Sequence, residues 1–137
     1  MTYSEALYQF WAGFTDDGAP MEAYLTGHVP DDALFPCVSF ENIQGAFFGR
    51  VPTSAFVWIK QSHGVNVTRK RDAFFEQVKA AIPESGRVLR YDGGVVCLYR
   101  NQNDFVSAYN PPDESDSVTG SPIRGGRVSY EIAFYGD

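Results

Sequence analysis

The chain has 137 residues, 44% of them hydrophobic, 15% aromatic and 20% charged, with a formal net charge of −6. That length suits one domain able to bury roughly two-thirds of its unfolded surface, and the apolar content excludes disorder over most of it. The acidic balance would repel a phosphate backbone from the surface as a whole, so nucleic acid could bind only at a local basic patch.

Thr2-Tyr3-Ser4-Glu5 has the pattern of a capping box, in which a hydroxyl and a carboxylate three residues apart satisfy each other's orphan amides. Tyr3, Ala6, Leu7, Phe10, Trp11 and Phe14 follow at helical spacing, and Asp16-Asp17-Gly18 with Pro20 ends the run. No basic leader precedes an apolar stretch and no run reaches membrane-span length, so a cytosol-like compartment without a membrane is expected. Met21 to Pro30 reads as mostly irregular, with Glu22 to Leu25 able to form a brief edge strand. Phe35 to Glu41 is a strand that Pro36 confines to a start or an edge, because the ring removes a ladder donor. Gly45 and Gly49-Arg50-Val51-Pro52 punctuate a turn.

The stretch from Ala55 to Pro83 organises the chain. Ala55, Val57 and Ile59 alternate with Phe56 and Trp58, a strand apolar on both faces. Such a strand needs a second layer or a partner chain, unless Trp58 lies flat beneath a loop. His63 reads as a turn residue. A helix opens near Thr68, and Phe74, Phe75, Val78, Ala81 and Ile82 form one stripe before Pro83 stops it. Its first turn carries Arg69, Lys70 and Arg71, where each cation opposes the helix dipole by roughly 0.3–1 kcal/mol. The cluster is either solvated on long stems or matched to an acidic surface, from phosphate or from another protein chain.

Arg87 to Tyr91 and Val95 to Arg100 flank Asp92-Gly93-Gly94, a hairpin signal. From Asn101 to Gly126 the sequence is polar and Pro-punctuated, too long for an ordinary connection. This loop is expected to be mobile in a free subunit and to order against a partner, with Phe105 and Tyr109 as apolar anchors and Asp113, Glu114 and Asp116 as an acidic surface. Arg127 to Tyr135 alternates as a last strand. The expected architecture is α+β, two helices on one face of a mostly antiparallel sheet of about five strands, in a single domain over 1–137.

Cys37 and Cys97 lie in apolar strand-like runs and read as reduced, buried thiols rather than a disulfide. With only His28 and His63 to join them, a metal site has little support. There is no Gly-x-Ser-x-Gly elbow, and Asp16-Asp17, Asp31-Asp32 and the acidic residues from Asp113 to Asp116 lie in loop-like stretches. The residues therefore point away from an enzyme, and no cofactor is expected.

The order of elements resembles a family, the tail-terminator and minor capsid or tail-completion proteins of long-tailed bacteriophages. Three stretches carry the resemblance. The first is the N-terminal helix leading to Phe35-Pro36-Cys37-Val38-Ser39-Phe40; the second is the helix ending in Ala80-Ala81-Ile82-Pro83 before Gly86. The third runs from Asp92-Gly93-Gly94 through Arg100 and a polar loop to Arg127-Val128-Ser129-Tyr130-Glu131-Ile132. The resemblance implies a virion subunit assembled in the bacterial host cytoplasm, which forms a hexameric ring on the last tail-tube ring, halts tube growth and docks the head. It implies partners in the tail-tube and head-completion or neck proteins, DNA only passing through the lumen, and neither catalysis nor cofactor. Within it, Arg69, Lys70, Arg71, Phe56 and Trp58 are expected at the subunit interface. Phe105, Tyr109, Asp113, Glu114 and Asp116 are expected on a loop facing tube or head. A head-completion or neck connector, or a small nucleic-acid-binding module using the basic cluster, is the alternative.

Overall fold

A computed structural model describes residues 1–43, 49–62, 64–109 and 122–136. Helix α1 (Tyr3–Trp11) is followed by a two-stranded ribbon, β1 (Thr15–Asp16) and β2 (Ala19–Pro20), then β3 (Ala23–Leu25), β4 (Cys37–Phe40) and β5 (Val51–Lys60). Helix α2 (Val67–Ala81) precedes β6 (Arg87–Tyr91), β7 (Gly94–Arg100), β8 (Val106–Tyr109) and β9 (Ile123–Gly136). The main sheet has seven strands in the order β3-β4-β5-β9-β7-β6, with β8 also on β9. Among the described residues, only β3 and β4 run parallel.

The expected five strands thus become seven, plus the ribbon, and the structure departs from the sequence reading in three places, of which the last two add a strand. Strand β5 starts at Val51 rather than Ala55, pairing Val51 with Ile132 and Pro52 with Glu131. Pro52 is tolerated because β4 pairs only with 55–58, so β5 has an open edge beside the proline. The stretch from Asn101 to Gly126 is not one long loop: Val106–Tyr109 forms β8, and β9 already begins at Ile123. Third, Ala23–Leu25 is a true edge strand on β4.

Strand β9 is the spine. One side pairs with β5 from Ile123 to Ile132; the other takes β8 along 125–128 and β7 along 130–136. Gly125 and Gly126 read as loop residues in sequence because glycine weakens strands, yet close approach requires them there. A Cβ on Gly126 would sit 2.6 Å from Cζ of Phe75, and one on Gly125 would sit 2.5 Å from the Val57 carbonyl oxygen. The glycine at 126 therefore lets α2 settle onto the sheet.

Both helices join one core against the face of β5 and β9 that carries Ala55, Val57, Ile59, Val128 and Tyr130. Helix α1 has its capping box, with Glu5 N–H donating to the Thr2 hydroxyl. It ends at Trp11 rather than Phe14, but Phe14 stays buried and packs on Phe74 at 5.4 Å between ring centroids. Trp11 is fully buried with its ring 5.4 Å from that of Tyr130. The start of α1 is tied to the β6–β7 hairpin: the Met1 ammonium meets Asp92 at 2.6 Å and Asp92 N–H donates to the Met1 carbonyl. The hairpin turn falls at Asp92-Gly93, with Gly93 at φ 103°, as its sequence predicts.

Helix α2 is capped by Asn66, whose side chain accepts from Arg69 N–H, and it starts at Val67, one residue before the expected Thr68. At its other end Arg100 donates from Nε to the Ile82 carbonyl (2.7 Å) and from Nη2 to the Lys79 carbonyl (2.8 Å). A guanidinium on these last carbonyls supplies partners that the helix itself lacks. Among the described residues, no helix is long and apolar enough to cross a membrane.

Candidate interaction surface

The side of the sheet away from the helices carries the odd feature of the sequence, Phe56 and Trp58. Alternation along β5 sends them opposite to Ala55, Val57 and Ile59. Their rings stack with centroids 5.3 Å apart and planes 18° apart. Tyr109, from β8, closes on both, 5.2 Å from Phe56 and 5.7 Å from Trp58. The tight spot is Gly125, where a Cβ would lie 3.2 Å from Cε3 of Trp58 and 3.3 Å from the Tyr109 carbonyl. Residues assigned to two separate surfaces in sequence, a subunit interface and a docking loop, therefore form one aromatic cluster. Phe56 and Trp58 are half-buried and Tyr109 is exposed.

Beneath the cluster β4 is buried at all four positions. Cys37 and Ser39 pair across from Trp58 and Phe56 and share their face, and the indole Nε1 donates to the Ser39 hydroxyl at 2.9 Å. The strand thus buries its polar atom by satisfying it. Burial pushes the Cys37 thiol up to about 12. Because the folded state raises this value above its ordinary 9.0, the contribution to stability is complete below pH 9 and lost as pH climbs towards 12. Cys37 is expected to resist iodoacetamide at pH 8 in the folded chain and to react on unfolding, as mass spectrometry would show; rapid native labelling would contradict this burial.

The basic cluster of α2 is placed differently from the sequence reading. Lys70 Nζ lies 2.8 Å from both Asp16 carboxylate oxygens and 3.8 Å from Asp17. Lys70 and Asp16 side chains are each 24% exposed. The cation set against the helix dipole is thus offset within the chain, and Asp16-Asp17 is not merely a solvated pair. Gln77 completes the clamp, accepting from Thr15 N–H at 3.0 Å and donating to the Thr15 carbonyl at 2.8 Å. Arg69 is exposed, whereas Arg71 is half-buried. A double-mutant cycle of Lys70→Ala and Asp16→Ala, followed by urea unfolding, is expected to give a coupling of about 1 kcal/mol, the upper range for partly exposed pairs. Reversal of Lys70 to Glu therefore lowers monomer stability, and only Arg69 gives a clean test of an intermolecular role.

Phe105 is likewise taken up inside the chain. It packs against the core, and the Arg100 guanidinium lies 4.9 Å from its ring centroid. Asp113, Glu114 and Asp116 lie outside the described residues, as does His63, and so does the mobility expected of 110–121. A polar cleft of about 520 Å³ lies between the α2–β6 connection and the β7–β8 connection, lined by Arg50, Tyr99, Arg100 and Asn103 among others. Its arginines are already engaged, Arg100 by helix carbonyls and Arg50 by stacking 3.7 Å over Tyr99. Among the described residues, no group of three His, Cys, Asp or Glu could hold a metal ion.

Sequence reasoning located Phe56 and Trp58 but missed that Tyr109 joins them. The signal was present in Phe105-Val106-Ser107-Ala108-Tyr109, a short apolar-edged run hidden inside a polar stretch. Compared with protein-family models, curated proteins and solved structures, the chain matches none.

Proposed function

We propose that this chain is a structural subunit of a long-tailed bacteriophage virion, a tail terminator that assembles with copies of itself into a ring. The ring caps the tail tube and joins it to the head, its partners being the tail-tube protein and the head-completion or neck protein, with DNA passing through the lumen. The observation that carries this reading is the aromatic cluster of Phe56, Trp58 and Tyr109 on the helix-free face of the sheet. Three large rings on a face that the chain's own helices leave free are the kind of central anchor that interfaces use. The resemblance in element order supplies the biological setting, and a neck connector is the nearest alternative of the same class.

Nucleic-acid binding through Arg69, Lys70 and Arg71 is less well supported, because Lys70 is committed to Asp16. Deletion of the gene is expected to leave tails of uncontrolled length, or tails that fail to join heads, in electron micrographs. Normal virions from the deletion would overturn the proposal. Replacement of Phe56, Trp58 and Tyr109 together by Ser should yield folded monomer that no longer forms rings on purified tail tubes.

A further inference from the structure

The open edges of the main sheet differ in a way that bears on how copies meet. Strand β6, with Arg87 and Arg90 exposed, carries charges of the kind that guard an edge against pairing. Strand β8 has no such guard: Val106-Ser107-Ala108-Tyr109 is neutral, and among the described residues it pairs with β9 alone. Ser129 N–H donates to the Phe105 carbonyl at 2.7 Å, so every second residue from Phe105 turns its backbone to β9. Val106 and Ala108 turn theirs outward.

Strand β3, at the opposite end of the sheet, is a second edge that carries no charge within the strand itself, among the described residues. Val38 N–H donates to the Glu22 carbonyl and Thr26 N–H to the Phe40 carbonyl, so residues 22, 24 and 26 face β4. Ala23 and Leu25 face away. The two edges thus present outward backbone groups at the same two-residue spacing, each beside an exposed apolar side chain, Leu25 (42%) and Tyr109 (39%). Their charges also differ in sign. Exposed Glu22 leads into β3, and the Tyr24 phenol pKa is raised first by desolvation and then by the nearby charges of Glu22 and Asp32. Exposed Arg127 sits directly across from Ser107 on the aromatic face of β8. In a chain of net charge −6, whose copies otherwise repel, this is a steering pair.

We propose that copies of this chain join head to tail by strand addition, the acidic β3 edge of one copy pairing with the β8 edge of the next beside Arg127 and the aromatic cluster. The contact rests on the ring reading above and specifies its geometry: two different edges meet, so the contact is heterologous and closes into a ring when the rotation per copy allows. A continuous sheet then runs from subunit to subunit.

The test is a charge swap, read by size-exclusion chromatography with light scattering at low salt and by electron microscopy with tail tubes. Arg127→Glu and Glu22→Arg alone should each cut the assembled fraction at least tenfold, and the double swap should restore it, with thermal melts confirming that all three variants fold. A chain carrying both Leu25→Cys and Ala108→Cys should form an oxidised ladder of multimers that neither single variant forms. Rings that ignore both swaps and give no ladder would overturn this contact and leave the ring reading in place. A wild-type chain that stays monomeric in solution and on tubes would overturn both.

Discussion

Trp11→Ala is expected to cost about 3–5 kcal/mol of folding stability, the range for a fully buried large aromatic. The side chain is completely enclosed, ringed by Phe10, Phe14 and Tyr130, and together with the Tyr3–Phe134 ring pair it joins α1 to β9. Its indole Nε1 is buried beside the Tyr130 hydroxyl, and the two interact only as weak hydrogen-bond partners. That sets the comparison: Trp11→Phe keeps most of the packing while removing a poorly satisfied donor, so its cost should fall to about 1 kcal/mol. Urea unfolding of both variants measures the difference, and equal losses would mean that the indole nitrogen is satisfied in solution. Burial also raises the Tyr130 and Tyr3 phenols above their ordinary 10.0. As with Cys37, both contribute stability that is complete below pH 10 and lost as pH rises further.

Gly125→Ala is expected to damage both the fold and the aromatic surface. The added Cβ would stand 2.5 Å from the Val57 carbonyl oxygen, a backbone atom held in the β5–β9 ladder, so no flexible side chain can give way. Overpacking of this kind costs roughly 1–3 kcal/mol, and here the strain falls where Trp58 and the Tyr109 carbonyl meet. Gly126→Ala differs in kind, since its Cβ meets the tip of Phe75, 2.6 Å away on a side chain that can shift. The variants should therefore separate: Gly125→Ala loses both stability and assembly on tail tubes, whereas Gly126→Ala mainly loses stability. A Gly125→Ala protein with an unchanged unfolding midpoint and normal rings would contradict both the ladder geometry and the role of the aromatic cluster.

What the sequence by itself determined were the elements with strong local signals. The capping box and stripe of α1, the stripe of α2, the Asp92-Gly93 hairpin and the alternation of β5 and β9 each follow from the spacing of apolar residues and from turn chemistry within a few residues. The α+β class follows from those elements together. The burial of Cys37 was legible in the same way, from its apolar neighbours.

Only the tertiary structure decided the rest, because each remaining feature depends on residues distant in sequence. Gly125 and Gly126 look like loop until Phe75 and Val57 approach from other elements and leave no room for a Cβ. Strand β8 is short and sits in a polar stretch, and it exists because β9 runs past the end of β7 and leaves an edge to pair with. Lys70 opposes its own helix dipole until the β1–β2 ribbon folds back and brings Asp16 across 54 residues of chain. The candidate surface shows the same division. Two of its rings, Phe56 and Trp58, announce themselves by breaking the alternation of β5, whereas Tyr109 arrives through register alone, because the pairing of β8 with β9 sets it opposite Gly125 and against both rings.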